Sequence, residues 1–206
     1  MTKMKIVLVA VIIVVSQGCA TLSKSECREA DWRIIGLEDG SLGRPVTYIG
    51  RHRESCADHG VKPNLSEYQQ GHADGIRLFC TPRKGFELGR TGRDHNNVCP
   101  ADLSDRFLHA YADGLEIRAA QTAVMDTQNR LKAANAELEE TTDQISYLET
   151  QLVNGAGVTV DRQNWLAEIK RLQVEKRRTL AEIYNLEHEV ADQQSAFENL
   201  ASQFQY

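Results

Sequence analysis

Three aspartates in near copies of one five-residue motif are the candidates for acid–base chemistry. The motif reads GLEDG at 36–40, GHADG at 71–75 and AYADG at 110–114. Two of Asp39, Asp74 and Asp113 at a suitable separation would serve as general acid and base on a glycan. The alternative is that each carboxylate binds nearby backbone N–H groups or caps a helix end. Because catalytic constellations are seldom repeated units, the three copies favour a repeated packing role, and a glycan-binding or hydrolytic domain stays as the alternative function.

Small residues four apart within each motif predict three closely packed helices. They are Gly36 and Gly40, Gly71 and Gly75, and Ala110 and Gly114. Residues at this spacing share one helix face, and each glycine costs about 1 kcal/mol of helix propensity, which close packing has to offset. Between the second and third motifs lies the glycine-rich stretch 81–100, in which Gly-Phe-Glu-Leu-Gly at 85–89 predicts a short hairpin or an irregular loop.

Four cysteines in the same region predict two disulfides. Cys27, Cys56, Cys80 and Cys99 contain no C-x₂₋₄-C pair, so a zinc site is not expected, and neither is any other metal or cofactor. Four cysteines allow three pairings, which sequence alone does not resolve. The pairs Cys27–Cys56 and Cys80–Cys99 are favoured because each closes one local excursion of the chain without crossing the other.

The N-terminus has the pattern of an export signal. Lysines at positions 3 and 5 precede ten uninterrupted apolar residues at 6–15. A helix of that length rises about 15 Å, half of a hydrocarbon core of about 30 Å, so it is too short to span a membrane. Gly18-Cys19 resembles the lipobox of bacterial lipoproteins, which implies acylation of Cys19, palmitate included, after removal of residues 1–18. Ala20 after the cysteine resembles lipoproteins sorted to the outer membrane and facing the periplasm.

The remaining composition excludes several classes of protein. The 206 residues carry a formal charge of −5 and are 41% hydrophobic. This is too little apolar sequence for several membrane spans, and without a basic block no nucleic acid is expected as a partner. All four prolines and 11 of the 14 glycines fall within 22–115. The change in composition predicts a cysteine- and glycine-rich domain over 19–115 and a different architecture over 116–206.

Heptad spacing over 116–206 predicts an antiparallel coiled-coil hairpin with its turn near 153–160. Val124, Leu131, Leu138, Ile145 and Leu152 recur every seven residues, and a second heptad series begins at Trp165. If the chain folds back at the turn, facing residue numbers sum to 313 or 314. Ile145 then meets Ile169, and Leu131 meets Ile183. Five polar residues weaken this seam, and such residues fix the register or the number of partner helices: Thr127, Thr141, Lys176, Thr179 and Gln193. The hairpin is then either an isolated spacer or a surface on which helices of another copy or another protein dock.

The order of cysteines, glycines and aromatic residues over about 19–118 resembles the family labelled domain of unknown function 2799, whose members are bacterial lipoproteins. The resemblance implies location and fold, and no activity. It is carried by the following positions: Cys27, Asp31-Trp32, Gly36, Asp39-Gly40, Cys56, Gly60, Tyr68, Gly71, Gly75, Cys80-Thr81-Pro82, Gly85, Gly89, Gly92, Val98-Cys99-Pro100, Phe107 and Gly114.

The sequence therefore predicts a mainly α protein, a small disulfide-bonded helical domain with glycine-rich loops that continues into a long antiparallel coiled-coil hairpin. Its predicted role is a lipid-anchored envelope scaffold or adaptor. The partners expected are the membrane through acylated Cys19, and a protein or a second copy through the coiled coil. No catalytic constellation is recognised, so an enzyme is not expected.

Overall fold

The computed structural model describes residues 22–155, 158–204 and 206, and within these ranges the chain is helical with no strand. The predicted signal peptide at 1–18 and Cys19 lie outside the described residues. Seven α-helices and one 3₁₀ turn follow in order: α1 (Lys24–Arg28), α2 (Trp32–Ser41), the 3₁₀ turn Val46–Tyr48, α3 (Ile49–Ala57), α4 (Leu65–Phe79), α5 (Pro82–Thr91), α6 (Ala101–Val153) and α7 (Thr159–Ala201). The mainly α fold class with a long helical hairpin is confirmed.

The described chain divides into two compact units. The first contains α1 to α4 together with residues 96–99, and the second contains α5, α6 and α7. Residue 115, where the sequence predicts a domain boundary, lies inside α6. The units divide elsewhere because α5 packs on the first turns of α6, which continue into the hairpin without interruption.

Both disulfides of the first unit have the local pairing. Cys27 joins Cys56, and Cys80 joins Cys99, with Cα atoms 5.5 and 5.6 Å apart. The first disulfide belongs to a buried cluster with Trp32 and Tyr68. Within this cluster the disulfide ties α1 to α3.

Glycines bring α2 and α4 together in the first unit. A Cβ added at Gly36 would lie 2.1 Å from the carbonyl oxygen of Tyr68, and one added at Gly40 would lie 2.4 Å from that of His72. From the other side, a Cβ at Gly71 or Gly75 would lie 1.8 or 2.1 Å from a carbonyl oxygen of α2. Only residues without side chains allow this approach, so the predicted packing role of these four glycines is confirmed.

The stretch predicted as a hairpin or loop is instead the helix α5. Thr81 caps its first turn by accepting a hydrogen bond from the Lys84 N–H, and Pro82 occupies the first helical position. Gly85 and Gly89 would place a Cβ 2.4 and 2.1 Å from carbonyl oxygens of α6. These glycines weaken α5 as an isolated helix, but they allow its backbone to pack against α6. The loop prediction was wrong because it did not include this tertiary contact.

Helices α5 and α6 repeat the arrangement of α2 and α4 with constant offsets. Gly36 lies against Tyr68 and His72, and Gly85 lies against Phe107 and Tyr111. The offset is 49 residues in the first helix of each pair and 39 in the second. The 49-residue offset also relates Gly40 to Gly89, and the 39-residue offset relates Gly75 to Gly114. The residues that these glycines contact on the opposite helix are related by the other offset in each case. The predicted three motif copies are thus organised as two equivalent helix pairs, in which α5 supplies the fourth helix.

The predicted register of the hairpin is confirmed in its two apolar clusters. Ile145 and Ile169 pack in one cluster, and Leu131 and Ile183 pack in the other. Between them, Thr179 donates a hydrogen bond of 3.2 Å to Glu137 on the opposite helix. Helix α6 ends at Val153 and α7 begins at Thr159. Residues 156 and 157 of the predicted turn lie outside the described residues.

Candidate functional site

A buried carboxylate organises the polar centre of the first unit. Asp39 on α2 is only 2% exposed. Its Oδ2 accepts hydrogen bonds from the Tyr68 hydroxyl at 2.8 Å and from His52 Nε2 at 2.7 Å, and its Oδ1 accepts one from Arg44 at 2.7 Å. Because α2 and α4 touch through glycines, Tyr68 on α4 reaches Asp39, and α3 supplies His52 from a third side.

The surroundings of Asp39 favour its ionised form. Burial by itself raises the pKa of Asp39, but the hydrogen bonds from His52, Tyr68 and Arg44 outweigh burial and hold the pKa below its ordinary value. Burial and the adjacent carboxylate raise the pKa of the Tyr68 hydroxyl well above its usual range. Since an ionised carboxylate only accepts hydrogen bonds, the His52 Nε2 atom carries a hydrogen and donates it.

Aromatic and backbone contacts fix the donors around Asp39. The Arg44 guanidinium carbon lies 4.4 Å from the centre of the Tyr48 ring. His72 Nε2 donates to the carbonyl oxygen of Arg44 at 2.7 Å, and the His72 ring stacks on Tyr68. With both carboxylate oxygens occupied by internal donors, Asp39 is placed to hold α2, α3 and α4 together.

The other two predicted carboxylates have different environments. The Asp74 side chain is 56% exposed and forms an ion pair of 3.0 Å with Arg33 on α2. Asp113 belongs to the second unit and accepts a hydrogen bond from the Tyr206 hydroxyl. The three copies of the motif therefore place their aspartates as a buried anchor, a surface ion pair and an acceptor for a residue beyond α7. Hydrolysis by these aspartates stays a prediction.

The second helix pair has an apolar counterpart of the Asp39 cluster. The 49-residue offset relates Asp39 to Leu88, and the 39-residue offset relates Tyr68 to Phe107. Leu88 and Phe107 are both buried. The ring of His95 lies edge-on to Phe107, as the ring of His52 does to Tyr68. The same packing therefore exists with and without the buried carboxylate.

An apolar cleft lies on the outer side of α3. It has a volume of about 490 Å³ and is lined by Ile49, Gly50, Arg53, Ala57, Gly60, Val61, Lys62, Pro63 and Leu65. Its lining contains two cations and no acidic residue. Clefts of 300–1,000 Å³ with an apolar lining and a few polar groups are typical of small-molecule sites. The described residues contain no group of three metal-ligating side chains.

The net charge of the hairpin lies along one edge. In an antiparallel coiled coil, the positions on one side of the seam come together from both helices to form an edge. The ion pair between Arg130 and Glu189 and the bond from Thr179 to Glu137 identify one such side. We call it the acidic edge, since it carries ten acidic and three basic residues: Glu116, Asp126, Glu137, Glu140, Asp161, Glu168, Glu175, Glu182, Glu189 and Asp192, with Arg130, Arg171 and Arg178.

The opposite side, here the neutral edge, carries equal numbers of acidic and basic residues and several exposed apolar side chains. Its charged residues are Arg118, Lys132, Glu139, Glu149, Lys170, Arg177, Glu187 and Glu198. Met125, Leu166, Leu180 and Tyr184 lie along it and are between 45% and 62% exposed. Tyr147 is similarly exposed on the acidic edge. The heptad pattern already contained this asymmetry, because edge positions follow from the seam positions.

No described helix has the length and apolar character needed to cross a membrane. The chain has no match among curated proteins or among solved structures. Residues 31–116 match a family model described as a protein of unknown function, DUF2799. This segment runs from Asp31, the N-cap of α2, to the turn of α6 just after Gly114, and so contains both glycine-packed helix pairs. The match thus covers less than half of the chain, and the glycine contacts of both helix pairs lie within the matched residues.

Proposed function

We propose that the protein is a scaffold of the bacterial cell envelope, anchored by lipid to the outer membrane. We propose further that its hairpin associates with a second copy through the neutral edge. The observation that carries the proposal is the exposed apolar row on this edge. Leu180 and Tyr184 are four residues apart on α7, and Leu166 lies 14 residues before Leu180 on the same side. A two-helix hairpin buries one stripe of each helix, and a third or fourth helix would cover this row.

Charge distribution favours a second copy as the occupant. Two acidic edges brought together would repel, since like charges juxtaposed across an interface are strongly unfavourable. Two neutral edges brought together join apolar and uncharged side chains and leave both acidic edges facing away from the contact. The neighbours of the apolar row support this arrangement, because Asn135, Thr142 and Gln173 carry no charge.

The anchor is supported by the sequence alone. A short apolar run is followed by Gly18-Cys19, and the other four of the five cysteines form two disulfides with one another. A cysteine that carries several acyl chains holds a protein stably on a membrane. Intact mass of the purified protein tests this step. Wild type should start at Cys19 and carry acyl chains, and Cys19→Ser should not.

Photocrosslinking at matched glutamines tests the docking surface. Gln173 on the neutral edge and Gln144 on the acidic edge are both exposed. A photoreactive amino acid at 173 should give a crosslinked dimer of the chain in cells, and the same residue at 144 should not. A dimer from 144 alone, or a foreign protein as the product at 173, would overturn association through the neutral edge.

A charge substitution gives a second readout. Leu180→Glu places an acid within the apolar row, and Ala181→Glu adds the same charge one residue along, on the outer face of α7. We expect Leu180→Glu to shift the purified protein from dimer to monomer in sedimentation velocity, with unchanged helix content. Ala181→Glu should stay dimeric. Equal behaviour of the two variants would contradict the proposal.

A further inference from the structure

We propose that the cleft on the outer side of α3 binds an anionic phospholipid, with an acyl chain along its apolar lining and the phosphate between Arg53 and Lys62. This goes beyond the scaffold role and rests on that proposal only for the anchor at Cys19. Three observations on the cleft carry the argument.

The first observation is a glycine that the fold does not require. Seven helical glycines of the chain lie against a partner backbone, where a Cβ would come within 2.4 Å of a carbonyl oxygen. Gly50 is also helical, yet a Cβ built there meets nothing within 4 Å. It lines the cleft between Ile49 and Arg53. Because glycine weakens a helix, its occurrence here is explained by the space that it leaves in the cleft.

The second observation is unneutralised positive charge. Arg53 and Lys62 are exposed, and within the described part of the chain neither side chain forms an ion pair or a hydrogen bond. No acidic side chain lines the cleft to compete for them. Two cations beside an apolar surface complement a ligand with an anionic head and a hydrocarbon tail.

The third observation is the position of the cleft relative to the anchor. Ile49 and Val61 line the cleft and also pack against the buried cluster around Cys27 and Cys56, and Leu22 packs against that same cluster. Cys19 precedes Leu22 by three residues, which span at most about 11 Å of extended chain. An acylated Cys19 thus keeps this cluster, and the cleft built on it, close to the lipid surface.

The acylated protein in neutral vesicles tests the proposal directly. A photoactivatable phosphatidylglycerol with its reactive group on the acyl chain is added in trace amount, and labelled peptides are identified after irradiation. We expect labelling within 49–65, competed by unlabelled phosphatidylglycerol and not by phosphatidylcholine. Labelling spread over other helices, or equal competition by both lipids, would overturn the proposal.

Two sets of substitutions test separately the open space at Gly50 and the positive charge of Arg53 and Lys62. Gly50→Leu adds a side chain to the cleft lining at a position where a Cβ meets nothing within 4 Å, and it should abolish labelling of 49–65. Arg53→Gln with Lys62→Gln should weaken it by about 30-fold, since each cation near an anionic lipid contributes a roughly fivefold effect. Arg83→Gln with Arg106→Gln removes two exposed cations from α5 and α6 and should leave labelling unchanged. Wild-type labelling in the Gly50→Leu protein would refute the cleft as the site.

The scaffold proposal and the lipid-site proposal are tested by different measurements on the same samples, dimerisation for the first and labelling of 49–65 for the second. The Leu180→Glu protein should lose the dimer and keep labelling of 49–65, because the substitution lies on the hairpin and the cleft lies in the first unit. Loss of labelling with an intact dimer would reject the lipid site alone.

Discussion

The hydroxyl of Tyr68 donates a hydrogen bond of 2.8 Å to Oδ2 of Asp39, and the offsets between the two helix pairs place Phe107 and Leu88 where these residues stand in the second pair. The same glycine-mediated helix contact thus occurs twice in this chain, with a polar centre between α2 and α4 and an apolar centre between α5 and α6. The polar centre costs the desolvation of a carboxylate, which three donors offset.

Removing only Asp39 should destabilise the protein strongly. Asp39→Ala leaves His52, Tyr68 and Arg44 facing a buried gap without an acceptor, and breaking a buried network in this way typically costs about 3–5 kcal/mol. Asp39→Leu combined with Tyr68→Phe copies the second pair and should recover part of that loss. Urea unfolding followed by circular dichroism measures both. A double variant less stable than Asp39→Ala would show that the two centres are not interchangeable.

The Asp39 cluster should make stability fall at acidic pH. The pKa of Asp39 in the folded protein lies below the ordinary value of 3.8 that we assign to the unfolded chain. Its contribution is therefore complete above about pH 4 and is lost as the pH falls through the folded pKa. The free energy of unfolding, measured between pH 5 and pH 2, should decline less steeply in Asp39→Asn. Asp74→Asn, on the surface, serves as the control and should follow wild type.

Two glycine substitutions should have opposite effects. A Cβ at Gly75 would lie 2.1 Å from the carbonyl oxygen of Leu37, whereas a Cβ at Gly50 meets nothing. We expect Gly75→Ala to lower the melting temperature markedly by separating α2 from α4. Gly50→Ala should raise stability by up to about 1 kcal/mol, because alanine restricts the unfolded chain and favours a helix. A neutral result at Gly75 would mean that α2 and α4 leave room for a methyl group between their backbones.

Each disulfide should contribute substantially and separately. The bonds close loops of 29 and 19 residues. In the chain-entropy model each contributes about 3–4 kcal/mol. Cys27→Ala with Cys56→Ala also opens the buried cluster around Trp32 and should cost more than Cys80→Ala with Cys99→Ala. Urea midpoints of the two double variants provide the comparison, and equal losses would argue for loop entropy alone.

The hairpin could be predicted in detail because its determinants are local and periodic. Heptad spacing alone pairs Ile145 with Ile169 and Leu131 with Ile183, and the members of each pair share a cluster in the folded chain. Helix propensity alone could not predict α5, because Pro82, Gly85 and Gly89 within it favour a loop, as does its C-cap glycine. The helix is stabilised by its contact with α6. Thr81 followed by Pro82 was an available helix-start signal.

The Asp39 cluster could not be predicted either, for a different reason. Its members come from α2, α3, α4 and the segment after α2, and nothing in the spacing of Asp39, His52 and Tyr68 along the chain indicates that they meet. Sequence grouped Asp39 with Asp74 and Asp113 by motif, whereas tertiary structure groups it with its donors. The shared motif indicates which helix face carries small residues. The environment of its aspartate, three residues after the first small residue, is set by the neighbouring helices and differs between the copies.

Helix α6 runs through 53 residues without a proline, and Gly114 is its one glycine. That glycine is pressed against α5, where a Cβ would lie 2.3 Å from the Phe86 carbonyl oxygen. Beyond this contact α6 contains neither of the residues, glycine and proline, at which helices most often kink. At about 1.5 Å per residue it extends about 80 Å, and its one conformationally permissive position is held in place by the backbone of α5.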